Sequence, residues 1–84
     1  MSVVYVLKAT AITPRGEFTG TIGEPVVDRE VQQRAIDGLR ENLSRRRNLT
    51  LDTEDGCEIV LNEKMIERSV FKFKVATKIV NLDK

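Results

Sequence analysis

The chain has 84 residues, of which 40% are hydrophobic and 32% charged, and its 14 Lys and Arg against 13 Asp and Glu leave a net charge of +1. This length fits one domain, the composition is typical of a folded globular protein, and the charge balance gives no general attraction to nucleic acid or membranes. There is no histidine and one cysteine. Ser-His and Cys-His nucleophile–base pairs are therefore excluded, as is every metal site built on imidazole.

The small size of the domain favours self-association. A chain of this length buries only about 60% of the surface that it exposes when unfolded, and such domains commonly gain stability from disulfides, metals or oligomerisation. A single cysteine cannot form an internal disulfide. The N-terminal residues lack the features of a signal peptide, and no run approaches the ~20 apolar residues of a membrane span. We therefore expect a cytoplasmic protein that forms a homodimer or a larger assembly.

Residues 3–13 are rich in β-branched side chains, which predicts a strand. Alternation places Leu7, Ala9 and Ala11 on one face of this strand, and Val4 and Val6 on the other. The first half is apolar on both faces, which is typical of a strand covered on both sides. One helix can supply only one cover, so we expect a second subunit to supply the other.

Residues 14–25 contain three of the five glycines and both prolines, which predicts the most loop-like part of the chain. Thr13 to Gly16 is predicted to be a turn. Residues 17–22 are ambiguous: they form either a short return strand or an irregular connection, because Gly20 and Gly23 weaken a strand.

The clearest predicted element is an amphipathic helix from Asp28 to Ser44, with Asp28 as its N-cap. Its apolar side chains repeat at helical spacing and predict a surface helix packed on a sheet. Gly38 lies at the edge of this apolar side. A glycine there costs about 1 kcal/mol relative to alanine, which predicts a close approach to a strand.

The C-terminal half predicts a hairpin and a long strand. Residues 49–52 and 57–61 flank an Asp-Gly turn, and Cys57 is predicted to be a small buried hydrophobe beside Ile59 and Leu61. Residues 62–68 form either one helical turn capped by Asn62 or a turn into the last strand. Residues 69–80 alternate between apolar and basic side chains, which predicts a strand with one buried and one basic face. The whole chain, 1–84, is predicted to be a single α+β domain with one helix on an antiparallel sheet of three to five strands.

Acidic residues cluster around the predicted hairpin turn. The spacing from Asp52 to Glu63 matches the ends of an EF-hand loop, but Gly56 is fifth instead of sixth and strands flank the loop. We interpret the cluster as a solvated turn. No catalytic residue, metal ligand or cofactor site is predicted, although a small ligand at an oligomer interface stays an open alternative.

Two candidate binding surfaces follow from these patterns. The first is a self-association face on the sheet, formed by Val4, Val6, Ile12, Val70 and Val80. The second is a basic patch that would bind nucleic acid or an acidic protein, formed by Arg40, Arg45, Arg46, Arg47, Lys72, Lys74 and Lys78. The favoured hypothesis is a non-enzymatic protein-binding or regulatory module that self-associates, and the alternative is a nucleic-acid-binding accessory protein.

Overall fold

The computed structural model describes residues 2–45 and 47–80 of the chain. Arg46, which belongs to the predicted basic patch, lies outside the described residues. The described residues form, in chain order, β1 (Ser2–Thr13), β2 (Gly16–Val26), α1 (Arg29–Ser44), β3 (Leu49–Asp52), β4 (Glu58–Leu61), α2 (Glu63–Glu67) and β5 (Val70–Val80). The strands pair antiparallel in one sheet of order β4-β3-β2-β1-β5. The predicted α+β class is confirmed.

Of the two alternatives for residues 17–22, the return strand is the one found: these residues belong to β2, which extends to Val26. The prediction that residues 14–25 are the most loop-like part of the chain is wrong. The predicted turn does lie between β1 and β2, where the Thr13 hydroxyl donates to Gly16 O at 2.8 Å. Gly20 lies within the strand, at a position that has no room for a side chain. A Cβ there would lie 2.8 Å from Asp52 O and 2.9 Å from Leu51 Cβ. The glycine that weakens a strand in isolation is required here by the close approach of β3.

An irregularity in β2 accommodates the other glycine and the proline. Tyr5 lies opposite Val26 and Leu7 opposite Ile22, so β2 carries extra residues between these two pairs. Gly23 adopts a φ of 73° in this bulge. Pro25, which has no N–H to donate to a ladder, also lies there, and bulges are where a strand tolerates proline.

Helix α1 begins and ends as predicted. The Asp28 carboxylate accepts a 2.9 Å hydrogen bond from Glu30 N–H, which caps the first turn. Leu39 and Leu43 pack against the core. The predicted role of Gly38 is wrong: apart from the helix's own backbone, no atom of the described residues lies within 4 Å of where its Cβ would be.

The β3–β4 hairpin differs from the prediction at Cys57. This residue precedes β4 and is exposed, so its prediction as a buried strand residue is wrong. Thr53 N–H donates to Cys57 O at 2.9 Å and Gly56 N–H to Thr53 O at 3.2 Å, and Gly56 has a φ of 86°. This is the pattern of a hairpin turn closed by a glycine bulge. The bulge makes Cys57 part of the turn instead of the strand.

The segment left open at 62–68 contains a short helix, α2, and Asn62 is its cap: the Asn62 side chain accepts from Met65 N–H at 3.0 Å. Ile66 of this helix is buried in the core. The core lies between the helices and one face of the sheet. Its buried members are Ala9, Ala11, Leu49, Leu51, Leu61 and Ile66, with the half-buried rings of Phe18, Phe71 and Phe73 packed against them.

Candidate functional site

The sheet has a second side, which we call the open face: the side that points away from α1 and α2. Alternation fixes which residues lie on it. Ala9 and Ala11 of β1 belong to the core with Leu39 and Leu43 of α1, so their neighbours in sequence point to the opposite side. The strand register then extends the open face across the sheet, because residues directly opposite each other on adjacent strands share a side.

The five residues predicted to form a self-association face all lie on the open face, on the adjacent strands β1 and β5. Ile12 lies directly opposite Val70. Val4 lies opposite Lys78 and Val6 opposite Ala76. Val70 is 62% exposed, whereas Val6 is only 9% exposed. The predicted set shares one face but is divided along the strands. Ile12 and Val70 lie at one end, and Val4, Val6 and Val80 lie toward the other. The pairs Lys8–Lys74 and Thr10–Lys72 lie between the two groups.

A row of five polar side chains crosses the open face from one edge of the sheet to the other. Each member lies directly opposite the next on the neighbouring strand, in the order Glu58, Asp52, Thr21, Lys8, Lys74. We call this set the charge row. Two carboxylates lie on one side of Thr21 and two ammonium groups on the other. The open face is thus acidic toward β4 and basic toward β5, and the uncharged Thr21 lies between the acidic and the basic half of the row.

Lys8 is the residue of this surface that the predicted sites lack. The sequence does place Lys8 on this face, because Lys8 is two residues from Val6 and two from Thr10 and therefore shares their side of β1. Its importance comes from a register that the sequence does not display: Lys8 lies opposite Lys74, so the two like charges are neighbours. Like charges directly opposite one another in a sheet are unfavourable, and an opposite charge placed over them would relieve that repulsion.

The predicted basic patch is divided between two surfaces. Lys72, Lys74 and Lys78 lie on the open face, because Lys72 pairs with Thr10 and Lys78 with Val4. Arg40 is an exposed residue of α1 and therefore lies on the helix side of the sheet. Arg45 caps the same helix at its C-terminal end. There its guanidinium forms a 2.8 Å ion pair with Glu41.

Arg47 completes the C-terminal end of α1, where its N–H donates to Asn42 O at 3.0 Å. Alternation therefore directs the lysines to the side of the sheet opposite the arginines. Lys74, on the edge strand β5, is the exception, because it also borders the groove that Arg40 lines. Lys72 and Lys78 remain separate from the arginines of the predicted patch that the structure describes.

The open face is concave around Val6. A cleft of about 410 Å³ lies over this residue, between Lys8 and Lys78 on one side and Asp52 and Glu54 on the other. Pro25, in the bulge of β2, forms part of its wall. The apolar floor lies between a basic and an acidic rim, which suits an amphipathic protein surface better than a uniformly charged ligand.

The acidic rim continues into the hairpin turn, which is closed by internal hydrogen bonds. The Asp55 carboxylate accepts a hydrogen bond from the Thr53 hydroxyl and another from Cys57 N–H, at 3.4 Å for the latter. The hydrogen bond from Thr53 is the main cause that holds the pKa of Asp55 below its usual value of 3.8, and the bond from the Cys57 backbone adds to it. Asp55 is therefore ionised at neutral pH, and the turn keeps its negative charge beside the open face.

In residues 2–45 and 47–80, no three His, Cys, Asp or Glu side chains come together as a group that could hold a metal ion. Neither helix of the described chain is long and apolar enough to cross a membrane. Comparison with protein-family models, with curated proteins and with solved structures gives no match.

Proposed function

We propose that this protein is a non-enzymatic binding module that self-associates by packing the open faces of two copies against each other. The observation that carries the proposal is the charge row, whose two halves have opposite sign about Thr21. A surface of this kind is complementary to itself. The aliphatic side chains on β1 and β5 supply the apolar area that such an interface buries.

The charge row selects one arrangement of the two copies. A twofold axis parallel to the strands and passing by Thr21 places Lys74 over Glu58 of the second copy, and Lys8 over Asp52. A twofold axis perpendicular to the strands would instead stack lysine on lysine. Two sheets pack face to face about 10 Å apart with their strands nearly aligned, and the favoured axis produces that geometry.

The area of the open face sets an upper limit on the interface that this arrangement buries. β1, β2 and β5 have 12, 11 and 11 residues, which at about 3.3 Å per residue makes each strand about 36–40 Å long. With neighbouring strands about 4.8 Å apart, these three strands cover on the order of 600 Å² in projection. The favoured axis lays β2 on β2 of the second copy but lays β1 and β5 on β3 and β4, which have four residues each, so the covered part is smaller than this. Standard interfaces bury about 800 Å² of accessible surface per partner.

Nucleic-acid binding is the second candidate, favoured by the four lysines on the open face. We rank it lower because Asp52 and Glu58 share that face and would repel a phosphate backbone, and because the arginines lie on the other side of the sheet. Such binding would weaken steeply as salt increases from about 50 to 200 mM, as counterion release requires.

Sedimentation equilibrium of two matched variants tests the proposal. Val70 and Val27 are both exposed, at 62% and 79%, so a glutamate at either position is tolerated by the single chain. Val70 lies on the open face, whereas Val27 lies between β2 and α1. We expect the wild type and Val27→Glu to sediment above 9.5 kDa, and Val70→Glu to dissociate at least tenfold more readily. A wild type of 9.5 kDa at micromolar concentrations would contradict the proposal, as would identical behaviour of the two variants.

A further inference from the structure

The outer edge of β5 is a long, open strand edge. β5 is the terminal strand of the sheet, has 11 residues, and pairs on one side with β1. In an antiparallel ladder about half of the residues of an edge strand direct both N–H and C=O away from the sheet. Within the described part of the chain, no strand pairs with this side. Edges of this kind are templates for an added strand.

A groove runs along this edge on the helix side of the sheet. It has a volume of about 550 Å³ and lies between α1 and β5. Ile36, Phe73 and Val75 form its apolar part. Phe73 and Val75 are half-buried, and the ring of Phe73 stacks on that of Phe71 with centroids 6.4 Å apart. A strand added to β5 would direct alternate side chains into this groove.

The rim of the groove is basic. Arg29, Arg34 and Arg40 of α1 line it together with Lys74, against the single carboxylate of Asp37. All three arginines are exposed. In the described residues none of them forms an ion pair with a carboxylate, in contrast to Arg45 with Glu41. Arg34 Nε donates to Glu30 O at 3.4 Å, which leaves the terminal nitrogens of its guanidinium for another partner. Guanidinium groups beside an apolar groove are suited to carboxylates, which they bind in a bidentate manner.

A second copy of this chain fits the edge poorly. Pairing β5 with the β5 of another copy would bring two sets of exposed lysines together, and edge lysines are a known device against such pairing. The other terminal strand, β4, is next to the acidic turn but has only four residues. It would leave most of the 11-residue edge uncovered. The occupant is therefore a longer strand of another protein.

We infer that the β5 edge and the α1–β5 groove bind an extended acidic peptide as an added strand of the sheet. The residues of this peptide that face α1, which are every second residue, are aliphatic and carboxylate in turn. The peptide backbone pairs with β5, its aliphatic side chains contact Phe73 and Ile36, and its carboxylates reach the arginines of α1. This site is separate from the open face. Face-to-face packing of two sheets leaves their edges and helix sides exposed, so a self-associated molecule can bind the peptide as well.

The test uses a fluorescein-labelled ten-residue peptide with Val and Glu in turn at every second position and Thr at the positions between them, so that Val and Glu share one face of the strand. Fluorescence anisotropy is the readout. We expect this peptide to bind the wild-type protein, and the same peptide with Lys in place of each Glu not to bind. Two N-methylated versions of the peptide, one methylated at the odd backbone nitrogens and one at the even nitrogens, distinguish strand pairing from charge attraction. We call these the two phases of methylation. At least one phase should lower affinity more than tenfold, because it removes the donors that face β5 while leaving the charges in place.

Two double variants with the same change in charge locate the site. Arg34→Glu with Arg40→Glu should lower affinity for the acidic peptide at least tenfold. Arg15→Glu with Arg68→Glu changes arginines in the β1–β2 turn and after α2, and should leave affinity within twofold. Circular dichroism confirms that both variants are folded. Failure of the acidic peptide to bind the wild type would overturn the inference. So would equal effects of the two double variants, or binding that neither phase of methylation weakens, a result that would indicate a polyanion site such as one for a nucleic-acid backbone.

Discussion

The side-chain amide of Gln32 on α1 donates a 2.9 Å hydrogen bond to the backbone carbonyl of Tyr5 on β1. The same nitrogen donates to Glu24 O at 3.1 Å, and Gln32 is only 4% exposed. Both carbonyls lie where the bulge of β2 interrupts its ladder with β1. A polar residue on the apolar side of the helix therefore satisfies carbonyls at the irregular part of the sheet.

We expect Gln32→Ala to lower the free energy of unfolding by about 1–3 kcal/mol, because it removes the donor of two part-buried hydrogen bonds. Gln33 is the matched control, since it is the next residue of the same helix and is exposed. Gln33→Ala should change the free energy by less than about 0.5 kcal/mol. Urea unfolding followed by circular dichroism measures both. Equal free energies for the two variants would show that the carbonyls do not depend on Gln32.

Two glycines are expected to respond in opposite directions to the same substitution. Gly20→Ala should destabilise the protein by about 1–3 kcal/mol, because its Cβ would meet Asp52 O at 2.8 Å and the strands would have to separate. Gly38→Ala should stabilise it by about 0.5–1 kcal/mol, because the position is helical and the Cβ enters open space. Thermal unfolding of the two variants gives the sign directly. Stabilisation by Gly20→Ala would contradict the close approach of β2 and β3.

The hairpin turn makes the free energy of unfolding decrease at acidic pH, because Asp55 becomes protonated there. The folded protein holds the pKa of Asp55 below 3.8, chiefly through the hydroxyl of Thr53. The contribution of this carboxylate to stability is therefore complete above pH 3.8 and is lost as the pH falls through the lower folded value. An NMR titration should find the Asp55 midpoint below 3.8 in the wild type and closer to 3.8 in Thr53→Val. An unchanged midpoint in that variant would mean that Thr53 does not hold the carboxylate.

Local signals predicted much of the fold. Asp28 caps α1 and Asn62 caps α2 because a side-chain oxygen can satisfy a helix N-terminus without help from distant residues. The alternation along β5 likewise gave its two faces. Where the prediction failed, the cause was non-local: Gly20 belongs to a strand because β3 lies against it, and Cys57 leaves its strand because a glycine bulge closes the turn.

The candidate surfaces were predictable only in part, because the sequence does not show which strands are neighbours. Periodicity gives the face on which a side chain lies but not which strand lies beside it. The aliphatic set of the open face could therefore be predicted from phase, since its members share one side of β1 and β5. The charge row could not, because Lys8 and Asp52 become neighbours of Thr21 only through the register of three strands. The division of the basic patch also required the position of α1.

A mixing experiment tests self-association through the charge row most directly. One variant carries Lys8→Glu and Lys74→Glu, and the other carries Asp52→Lys and Glu58→Lys. In each variant both halves of the row have the same sign, so two identical copies repel each other. In a mixture, the all-acidic row of one variant faces the all-basic row of the other. Every pair of facing charges is then of opposite sign, as in the wild-type dimer. The stability of the single chain changes little, because each reversal replaces one pair of like charges with another.

Sedimentation equilibrium measures the outcome at equal concentrations of the two variants. The proposed arrangement predicts that each variant alone has the molar mass of one chain, 9.5 kDa, and that the mixture forms a species of twice that mass. A mixture that stays at the mass of one chain, or variants that associate alone as well as the wild type does, would contradict the assignment of the open face as the self-association surface.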